Sequence, residues 1–350
     1  MKVAPVIAAL EERGIAAPLV HTGQHYDTAM SESFFADLGI PPPRVNLEVG
    51  SGSHAVQTAE IMRRFEPVLD ELAPRAVLVV GDVNSTIACA LVAAKKGVRI
   101  VHVEAGLRSY DRTMPEEINR VLTDQISDLL FVTERSAIAN LAREGIAGER
   151  VHFVGNVMID TLFRHLENAI PAATSLGGRF AEGYALATLH RPSNVDEPAV
   201  LGPLLGAIGS IARKVPIVFP LHPRTRGRIE AAGLGAILDD PRILALPPLG
   251  YLEILGLMRD AQFVVTDSGG IQEETTALGV PCFTVRENTE RPITIAEGTN
   301  TLVGTDPAAL LAAVQALWGG QGKAGRIPEL WDGRAAGRIA ALLDEALSAA

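Results

Sequence analysis

Residues 264–274 read VVTDSGGIQEE, which combines an apolar run, a small-residue turn and the beginning of a helix. Gly269 and Gly270 leave room for a ligand beside the backbone, and the N–H groups at a helix N-terminus attract an anion. A phosphate group is the natural occupant of such a turn. Glu274 follows one turn into the helix, where its carboxylate is suited to accept hydrogen bonds from sugar hydroxyls. The stretch therefore predicts a nucleotide-sugar site, against the alternative of an ordinary strand-to-helix turn with a glycine pair.

The same alternation of apolar run and amphipathic segment extends along the rest of the chain. Continuously apolar short runs are typical of strands that are covered on both faces of a sheet. The predicted strands are residues 76–80, 99–103, 129–132, 151–154, 184–189, 217–220, 243–246, 263–266 and 281–285. The predicted helices include residues 54–72, 85–96, 116–127, 200–214 and 252–259. This order predicts the α/β class, with parallel, doubly wound sheets.

A segment rich in Ala, Ser, Gly and Pro at residues 171–178 separates two series of β-α units. We predict two Rossmann-like domains that face one cleft. The N-terminal domain is residues 1–168, joined by a C-terminal helix within 334–350, and the C-terminal nucleotide-binding domain is residues 169–333. The chain opens directly in a helical pattern, without the central strand and glycine-rich turn that usually begin such a domain. We therefore expect the natural protein to begin upstream and the first sheet to have a gap at its centre.

Composition excludes several classes of protein. The 350 residues carry 31 basic and 41 acidic side chains, a net charge of −10, so the chain lacks the basic footprint of a nucleic-acid-binding protein. No apolar run approaches the roughly 20 residues that span a bilayer, and no signal stretch opens the chain, so we expect no membrane partner and a cytoplasmic location. Cys89 and Cys282 lie in apolar stretches, which predicts buried thiols in a reducing compartment. No cluster has zinc spacing, so we expect no metal.

Two carboxylates follow neighbouring predicted strands. Asp82 comes directly after the strand at residues 76–80, and Glu104 follows the strand at residues 99–103. Ligands bind at the carboxyl ends of parallel strands, and two carboxylates in one cleft push each other's pKa values apart, as an acid/base pair requires. The alternatives are a helix-capping role for Asp82 and a buried salt bridge between Glu104 and Arg108.

Further candidates lie at helix starts and strand ends. Glu116 and Arg120 are one helical turn apart and can form a functional pair, although acids are also ordinary residues of a first helical turn. His190 and Arg191 end one predicted strand, and His222 ends the next. Arg291 follows the last strand of the second domain, which makes it a second candidate for phosphate contact. His21 and His25 lie near a glycine turn, as ligands or as loop residues.

Seven motifs occur in one order along the chain: HTGQHYD, GDVNST, HVEAGLRS, MPEEINR, GNVMID, TDSGGIQEE and TERP. Together they resemble the non-hydrolysing UDP-N-acetylglucosamine 2-epimerases. The resemblance implies a two-domain, glycosyltransferase-B-like fold and the interconversion of UDP-N-acetylglucosamine and UDP-N-acetylmannosamine without a cofactor. The implied route removes the proton on carbon 2 as UDP leaves, giving 2-acetamidoglucal, and then adds UDP back. It also implies a homodimer that serves polysaccharide biosynthesis. Family members open with a strand and a phosphate loop that have no counterpart here.

The resemblance also implies roles for individual residues. Asp82, Glu104 and Glu116 match the acid/base carboxylates, without assigning which takes the proton, and His190 matches the partner near the diphosphate. The remaining matches to substrate-binding residues are Lys2, Arg120, Ser268, Gly269, Gly270, Glu274 and Arg291. A regulatory site that binds a second UDP-sugar in some bacterial members is matched by Gln24, Arg191 and His222. The chain departs from the family at Asp27, Val83 and Ser193; Val83 replaces a common Thr, and Ser193 a common Glu.

Three other functions compete with this one. An epimerase for UDP-2,3-diacetamido-glucuronate has the same motifs, although residues 289–292, TERP, favour the N-acetylglucosamine enzyme. A glycosyltransferase on the same fold needs an acceptor groove, of which the sequence shows no sign. A catalytically inactive nucleotide-sugar binder would bind UDP without turnover.

Overall fold

The computed structural model describes residues 1–24 and 38–348. The chain divides into two compact units: Met1–Thr161 together with the segment from Glu329 onward, and Leu162–Pro328. The boundary between Thr161 and Leu162 falls inside the helix Val157–His165, whereas the sequence predicted a boundary after residue 168. The reason is that the Ala/Ser/Gly/Pro-rich segment contains a short helix, Ala172–Ser175, and lies within the second unit.

Strands and helices alternate along both units. The strands are β1 (Val20–His21), β2 (Val45–Asn46), β3 (Ala76–Val80), β4 (Arg99–Ala105), β5 (Leu129–Val132), β6 (Val151–Phe153), β7 (Ala185–Thr188), β8 (Ile217–Pro220), β9 (Ile243–Leu246), β10 (Val264–Thr266), β11 (Cys282–Thr284) and β12 (Asn300–Leu302). The helices are α1 (Val3–Glu12), α2 (His54–Leu72), α3 (Asn84–Lys95), α4 (Pro115–Ile126), α5 (Arg135–Arg143), α6 (Val157–His165), α7 (Ala172–Ser175), α8 (Pro192–Val195), α9 (Pro198–Ala212), α10 (Pro223–Ala231), α11 (Tyr251–Arg259), α12 (Gly269–Leu278), α13 (Pro292–Ala296), α14 (Pro307–Ala316) and α15 (Ala335–Ser348).

The second unit is built on a six-stranded parallel sheet in the order β9-β8-β7-β10-β11-β12. Its first strand in the chain, β7, is central and pairs with both β8 and β10. The strand order therefore reverses between β7 and β10, which makes that point the topological switch where open α/β sheets bind ligands. The strands β8, β10 and β11 are buried along their whole length, as their continuous apolar character predicts.

The first unit contains two separate sheets in the part of the chain that the structure describes. The strands β3-β4-β5-β6 form a four-stranded parallel sheet, and β1 pairs only with β2. The strands β1, β2 and β12 were not predicted, because two or three residues are too short to show a period-2 pattern.

The C-terminal helix α15 packs against α1 in the first unit. Val6 and Leu10 of α1 share a buried apolar cluster with Ile339 and Leu343 of α15 and with residues of β4 and β5. Asp160 caps the incoming helix, since its carboxylate accepts hydrogen bonds from the backbone of the first two α15 residues at 3.1 and 2.6 Å. The helix thus closes one face of the four-stranded sheet.

Both cysteines are buried and free, one in α3 and one in β11. Burial raises the pKa of Cys89 to about 12 and that of Cys282 to about 11. A thiolate is the reactive form, so both side chains behave as small apolar groups. The prediction of buried thiols is confirmed.

Candidate active site

The loop that follows β3 carries Asp82. Gly81 precedes it with a φ of 71°, a left-handed conformation that glycine adopts without strain. Arg120 of α4 donates to Asp82 Oδ2 from Nη2 at 2.6 Å and from Nε at 3.2 Å, and Asn119 donates to the Asp82 carbonyl at 2.9 Å. The structure therefore brings two predicted site residues together. Asp82 does not cap α3, because the N-cap position belongs to Val83.

Glu104 lies on a β-bulge near the end of β4. The pairing with β5 shifts register between Val103 and Ala105, and Glu104 has a φ of 72°. A left-handed non-glycine residue costs about 1–3 kcal/mol and persists only where its surroundings fix it. One fixing contact is Lys2, whose Nζ lies 2.5 Å from Glu104 Oε2. The structure thus pairs the predicted lysine with a predicted acid/base carboxylate.

The alternative salt bridge between Glu104 and Arg108 is wrong. Arg108 binds the carboxylates of Asp124, at 2.7 Å, and Glu144, at 2.5 Å. The cause lies in Gly106, whose φ of 78° turns the chain after β4 away from the strand. The arginine consequently reaches an acid of α4 and the residue that follows α5.

The predicted pair between Glu116 and Arg120 is also wrong. The guanidinium of Arg120 binds the carboxylate of Glu117, one residue later, in addition to Asp82. Glu117 is on the buried side of α4 and also accepts from the backbone N–H of Ser109 at 3.0 Å. Glu116 is half-buried and lines a cavity of about 330 Å³ in the first unit.

The wall of this cavity is a cluster of amides, of which Gln24 was predicted as a regulatory residue and Asn84 and Gln57 were missed. Asn84 donates to Gln57 Oε1 at 2.8 Å and also lies within hydrogen-bonding distance of His54 Nδ1. Gln24 accepts from Ser85 through both the backbone N–H, at 3.1 Å, and the hydroxyl, at 2.7 Å. The signal was available, because Asn84 is a buried polar residue at the first position of an apolar helix. The neighbouring candidates His25 and Asp27 lie outside the described residues.

His102 is a second residue that sequence reasoning missed. It is completely buried in β4, with Nδ1 2.7 Å from Asp124 Oδ1 and Nε2 2.8 Å from the carbonyl oxygen of Gly81. Burial acts to lower the pKa of His102, but the charge and hydrogen bond of Asp124 outweigh it, and the pKa stands above its usual value. A buried imidazole with a hydrogen-bond partner at each ring nitrogen therefore lies beside the loop that carries Asp82.

In the second unit, the loop after β7 is organised by Asp267, which follows β10. The carboxylate accepts from the backbone N–H groups of His190, at 3.0 Å, and Arg191, at 2.9 Å, and from the Asn194 amide at 3.1 Å. His190 Nδ1 lies 2.8 Å from the same carboxylate. Burial acts to raise the pKa of Asp267, but the contacts with His190 hold it below its usual value. Asp267 thus fixes the ring of a predicted site residue across the topological switch.

The predicted phosphate turn begins α12. Ser268 is the N-cap residue in an extended conformation, and its side chain makes no capping hydrogen bond. Its backbone N–H donates to the hydroxyl of Thr266 at 3.0 Å. A Cβ atom at Gly269 would lie 2.8 Å from Glu290 Oε1, so the close approach requires glycine there. The helix N-terminus is therefore open to an anion at the carboxyl end of β10.

Arg291, the second predicted phosphate ligand, is buried against a glutamate. Its Nε lies 2.8 Å from Glu273 Oε1. Glu290 pairs with Arg286 at 2.7 Å and approaches Arg191 to 3.8 Å. Burial acts to raise the pKa of Glu290, but the neighbouring arginines hold it far below its usual value. Each arginine beside the phosphate turn thus forms an ion pair with a buried glutamate: Arg291 with Glu273, and Arg286 and Arg191 with Glu290.

Glu274, the predicted ribose contact, is buried one turn into α12. The hydroxyl of Tyr251 donates to Glu274 Oε1 at 2.9 Å. Burial raises the pKa of Glu274 to about 8, with a smaller contribution from the neighbouring Glu273. The carboxyl group therefore takes up a proton near neutral pH unless a ligand replaces the lost solvation.

Two of the three predicted regulatory residues lie together in the second unit. The rings of His190 and His222 are 6.4 Å apart, and Arg191 Nε donates to the Asp267 carbonyl at 3.1 Å. Burial, His190 and Arg224 lower the pKa of His222 below its usual value. Gln24 belongs to the first unit.

The chain matches a family model described as UDP-N-acetylglucosamine 2-epimerase over residues 8–344. A UDP-N-acetylglucosamine 2-epimerase of Methanococcus maripaludis is 43% identical over 326 residues, covering 91% of this chain and 88% of the relative. A UDP-2,3-diacetamido-2,3-dideoxy-D-glucuronate 2-epimerase of Pseudomonas aeruginosa is 44% identical over 300 residues, covering 85% and 82%. The crystal structure of a Methanocaldococcus jannaschii UDP-GlcNAc 2-epimerase in complex with UDP-GlcNAc and UDP superposes with a TM-score of 0.91 at 41% identity, covering 98% and 96%.

The chain belongs to the UDP-N-acetylglucosamine 2-epimerase family. The resemblance drawn from the seven motifs is confirmed, and so is the α/β fold with parallel sheets. The structure adds four buried residues to the predicted site: His102, Asp124, Asp267 and Glu273. Asp267 contacts the predicted residue His190, and Glu273 contacts Arg291. His102 contacts the loop that carries Asp82, and Asp124 contacts His102.

Within residues 1–24 and 38–348, no three or more His, Cys, Asp or Glu side chains are grouped as a metal site requires. Over the same residues, none of the helices has both the length and the apolar character needed to cross a bilayer.

Proposed function

We propose that the protein interconverts UDP-N-acetylglucosamine and UDP-N-acetylmannosamine by eliminating UDP and adding it back through 2-acetamidoglucal. The observation that carries the proposal is the pair of carboxylates at the ends of neighbouring parallel strands. Asp82 follows β3 and Glu104 lies near the end of β4, and each is held by a cation, Arg120 and Lys2 respectively. A proton on carbon 2 is not acidic, so its removal needs a positioned base and its return needs a positioned acid.

We assign acid/base chemistry to three carboxylates of the first unit. Asp82 and Glu104 are oriented by ion pairs, whereas Glu116 lines the cavity beside the amide cluster. Positioned proton transfer contributes about 10²–10⁴-fold to a rate. Lys2 and Arg120 are substrate-binding residues in this proposal, and they also hold the carboxylates in place.

We assign recognition of the leaving diphosphate to the second unit. The N-terminus of α12, with Ser268, Gly269 and Gly270, offers backbone N–H groups and the positive end of a helix dipole. His190 and Arg291 supply further donors, and Glu274 accepts from the ribose hydroxyls. Preorganised donors of this kind stabilise charge that develops on the leaving group.

The second candidate function is 2-epimerisation of UDP-2,3-diacetamido-glucuronate. The Pseudomonas relative is 44% identical and the Methanococcus relative 43% identical, a difference of one percentage point that favours neither sugar. A glucuronate carries a carboxylate that N-acetylglucosamine lacks, so the two substrates differ by one charge. Parallel assays with both UDP-sugars separate the two functions.

Proton NMR with UDP-N-acetylglucosamine in deuterated water tests the proposal. The expected result is UDP-N-acetylmannosamine with deuterium at carbon 2. Exchange with the diacetamido-glucuronate substrate alone would select the second candidate. UDP binding without exchange on either substrate would instead support an inactive nucleotide-sugar binder, and transfer of the sugar to an added acceptor would support a glycosyltransferase.

We also propose regulation by a second UDP-sugar through Gln24, Arg191 and His222, on the strength of the family resemblance. Activation of the reverse reaction by added UDP-N-acetylglucosamine tests it. A homodimer, a cytoplasmic location and a role in polysaccharide biosynthesis belong to the same proposal. Light scattering of the purified protein measures its molar mass and so tests the homodimer.

A further inference from the structure

The buried imidazole of His102 has two hydrogen-bond partners that are both acceptors. Nε2 lies 2.8 Å from the carbonyl oxygen of Gly81, and Nδ1 lies 2.7 Å from Asp124 Oδ1. A carbonyl oxygen never donates, and an ionised carboxylate has no proton to give. Both ring nitrogens must then donate, and an imidazole with two N–H groups is an imidazolium.

The other oxygen of Asp124 is surrounded by hydrogen-bond donors. The other carboxylate oxygen, Oδ2, accepts from the Gly106 N–H at 3.0 Å and lies 2.7 Å from Arg108 Nη2. Every neighbour of the carboxylate is thus a donor, which favours its ionised form. Arg108 also pairs with Glu144, so a row of alternating charges runs from the buried His102 to the partly exposed Glu144.

His102 is connected to both carboxylates at the strand ends. The residue before Asp82, Gly81, accepts from His102 through its carbonyl and donates its N–H to the Val103 carbonyl at 3.0 Å. Both polar groups of that glycine are therefore fixed by β4. Glu104 is two residues further along the same strand, and its charge acts to raise the pKa of His102.

We propose that His102 is a positioning residue for the acid/base carboxylates, acting as a permanent imidazolium that fixes the Gly81–Asp82 turn relative to Glu104. The proposal rests on the proposed epimerase function, because it assigns the carboxylates their task. The groups that face the imidazole are Asp124 from α4, Gly81 from the loop after β3, and Glu104 from its own strand. Arg108 and Glu144 act on it through Asp124.

The charge state can be measured without turnover. In ¹⁵N-histidine NMR of the whole protein, the His102 ring should keep the two-proton signature at the pH where an ordinary histidine, with a pKa of about 6.5, has lost it. The signals are assigned by their loss in His102→Gln. If that variant does not fold, neutron diffraction of the wild-type crystal at pH 8 reports both ring protons directly. A neutral ring at pH 8 overturns the proposal, whatever the enzyme's substrate.

The positioning role is measured by kinetics. For His102→Gln we expect kcat to fall by about 100-fold, with UDP affinity changed by less than about twofold, since a small displacement of a reacting group has effects of that size. Asp124→Asn should lower kcat in the same direction. His152→Gln in β6 is the matched control and should keep the wild-type kcat, because it makes the same change at a partly buried histidine whose ring lies beside Phe131. A folded His102→Gln variant with wild-type kcat, or one that loses UDP affinity in parallel, overturns the proposal.

The two proposals fail in different ways. A wild-type protein that binds UDP but epimerises no UDP-sugar contradicts the proposed function, while the NMR result on His102 stands. An active enzyme with a neutral His102 contradicts only the positioning role.

Discussion

The loop after β3 and the turn after β10 are built alike but carry different chemistry. Each follows a parallel strand and begins a helix, and in each the N-cap residue, Val83 or Ser268, gives no side-chain cap. The first loop carries an acid, Asp82, and leads into the amide Asn84, whereas the second leads into Gly269 and Gly270. The same β-α unit therefore supports proton transfer in one place and anion binding in the other, according to the side chains at the strand end.

The two regions also differ in how charge is held. In the first unit, acids of the site are fixed by basic residues, as Lys2 fixes Glu104. In the second, bases of the site are fixed by acids, as Glu273 fixes Arg291. Fixed charges cost no reorganisation when the substrate reacts, so both arrangements are preorganised. If this division is correct, substitutions in the first unit should change kcat and substitutions in the second should change UDP affinity.

The largest expected effect is on the carboxylates of the first unit. Asp82→Asn and Glu104→Gln should each lower kcat by about 10²–10⁴-fold, because they remove a proton-transfer group and keep its shape. UDP affinity, measured by calorimetry, should stay unchanged. Glu66→Gln on the exposed face of α2 is the control and should match wild type. A loss of UDP affinity equal to the loss of kcat would contradict the assignment of proton transfer to the first unit and UDP binding to the second.

The next effect concerns the phosphate turn. In Gly269→Ala the new Cβ lies 2.8 Å from Glu290 Oε1, so a buried, ion-paired side chain must move. Overpacking of this kind costs about 1–3 kcal/mol, which should weaken UDP binding by roughly 5- to 100-fold. Gly206→Ala in α9 is the matched control, because nothing lies within 4 Å of the added atom. Unchanged UDP affinity in Gly269→Ala would remove the turn from the site.

The pH dependence of stability tests the buried Glu274. Its pKa is raised from 4.5 to about 8 in the folded protein, so its contribution to stability is complete below pH 4.5 and is lost as pH rises towards 8. Between pH 5.5 and 6.5, the free energy of unfolding of the wild-type protein should fall by about 1 kcal/mol more than that of Glu274→Gln, because the glutamine cannot ionise. Urea unfolding without UDP measures the difference. Glu230→Gln, an exposed carboxylate of the same unit, should follow wild type; a wild-type curve parallel to that of Glu274→Gln would show that Glu274 ionises freely.

The sequence predicted the strands and their chemistry better than it predicted partners. The helix at residues 54–72 and the strands at residues 76–80 and 217–220 match the structure end to end, because buried parallel strands and amphipathic helices carry strong local patterns. The family motifs also located Asp82, Glu104 and the turn at Ser268. These features depend on residues that are neighbours in the chain.

Side-chain pairing followed from long-range geometry that no local pattern contains. Arg108 was considered as an alternative partner of Glu104 and binds Asp124, and Arg120 was a candidate partner of Glu116 and binds Glu117 and Asp82. In both cases a local spacing rule was overridden by where the chain turns or which face of a helix is buried. His102 was missed because an apolar run with one histidine reads as an ordinary strand.

The smallest expected effect returns to the two uncapped helices. Val83 occupies the N-cap of α3 in an extended conformation and is 42% exposed, so its apolar side chain satisfies none of the free N–H groups. Val83→Thr introduces an oxygen at that position without changing the branched shape, and should raise the free energy of unfolding by about 0.5–1 kcal/mol. Urea unfolding measures the gain, and Val83→Ala, which adds no oxygen, is the control. The kcat should stay within about twofold of wild type, since Asp82 is held from α4 and β4 and not by this cap. A stabilised variant with a much lower kcat would instead mean that the open N-terminus of α3 takes part in catalysis, and the contrast between the two loops would disappear.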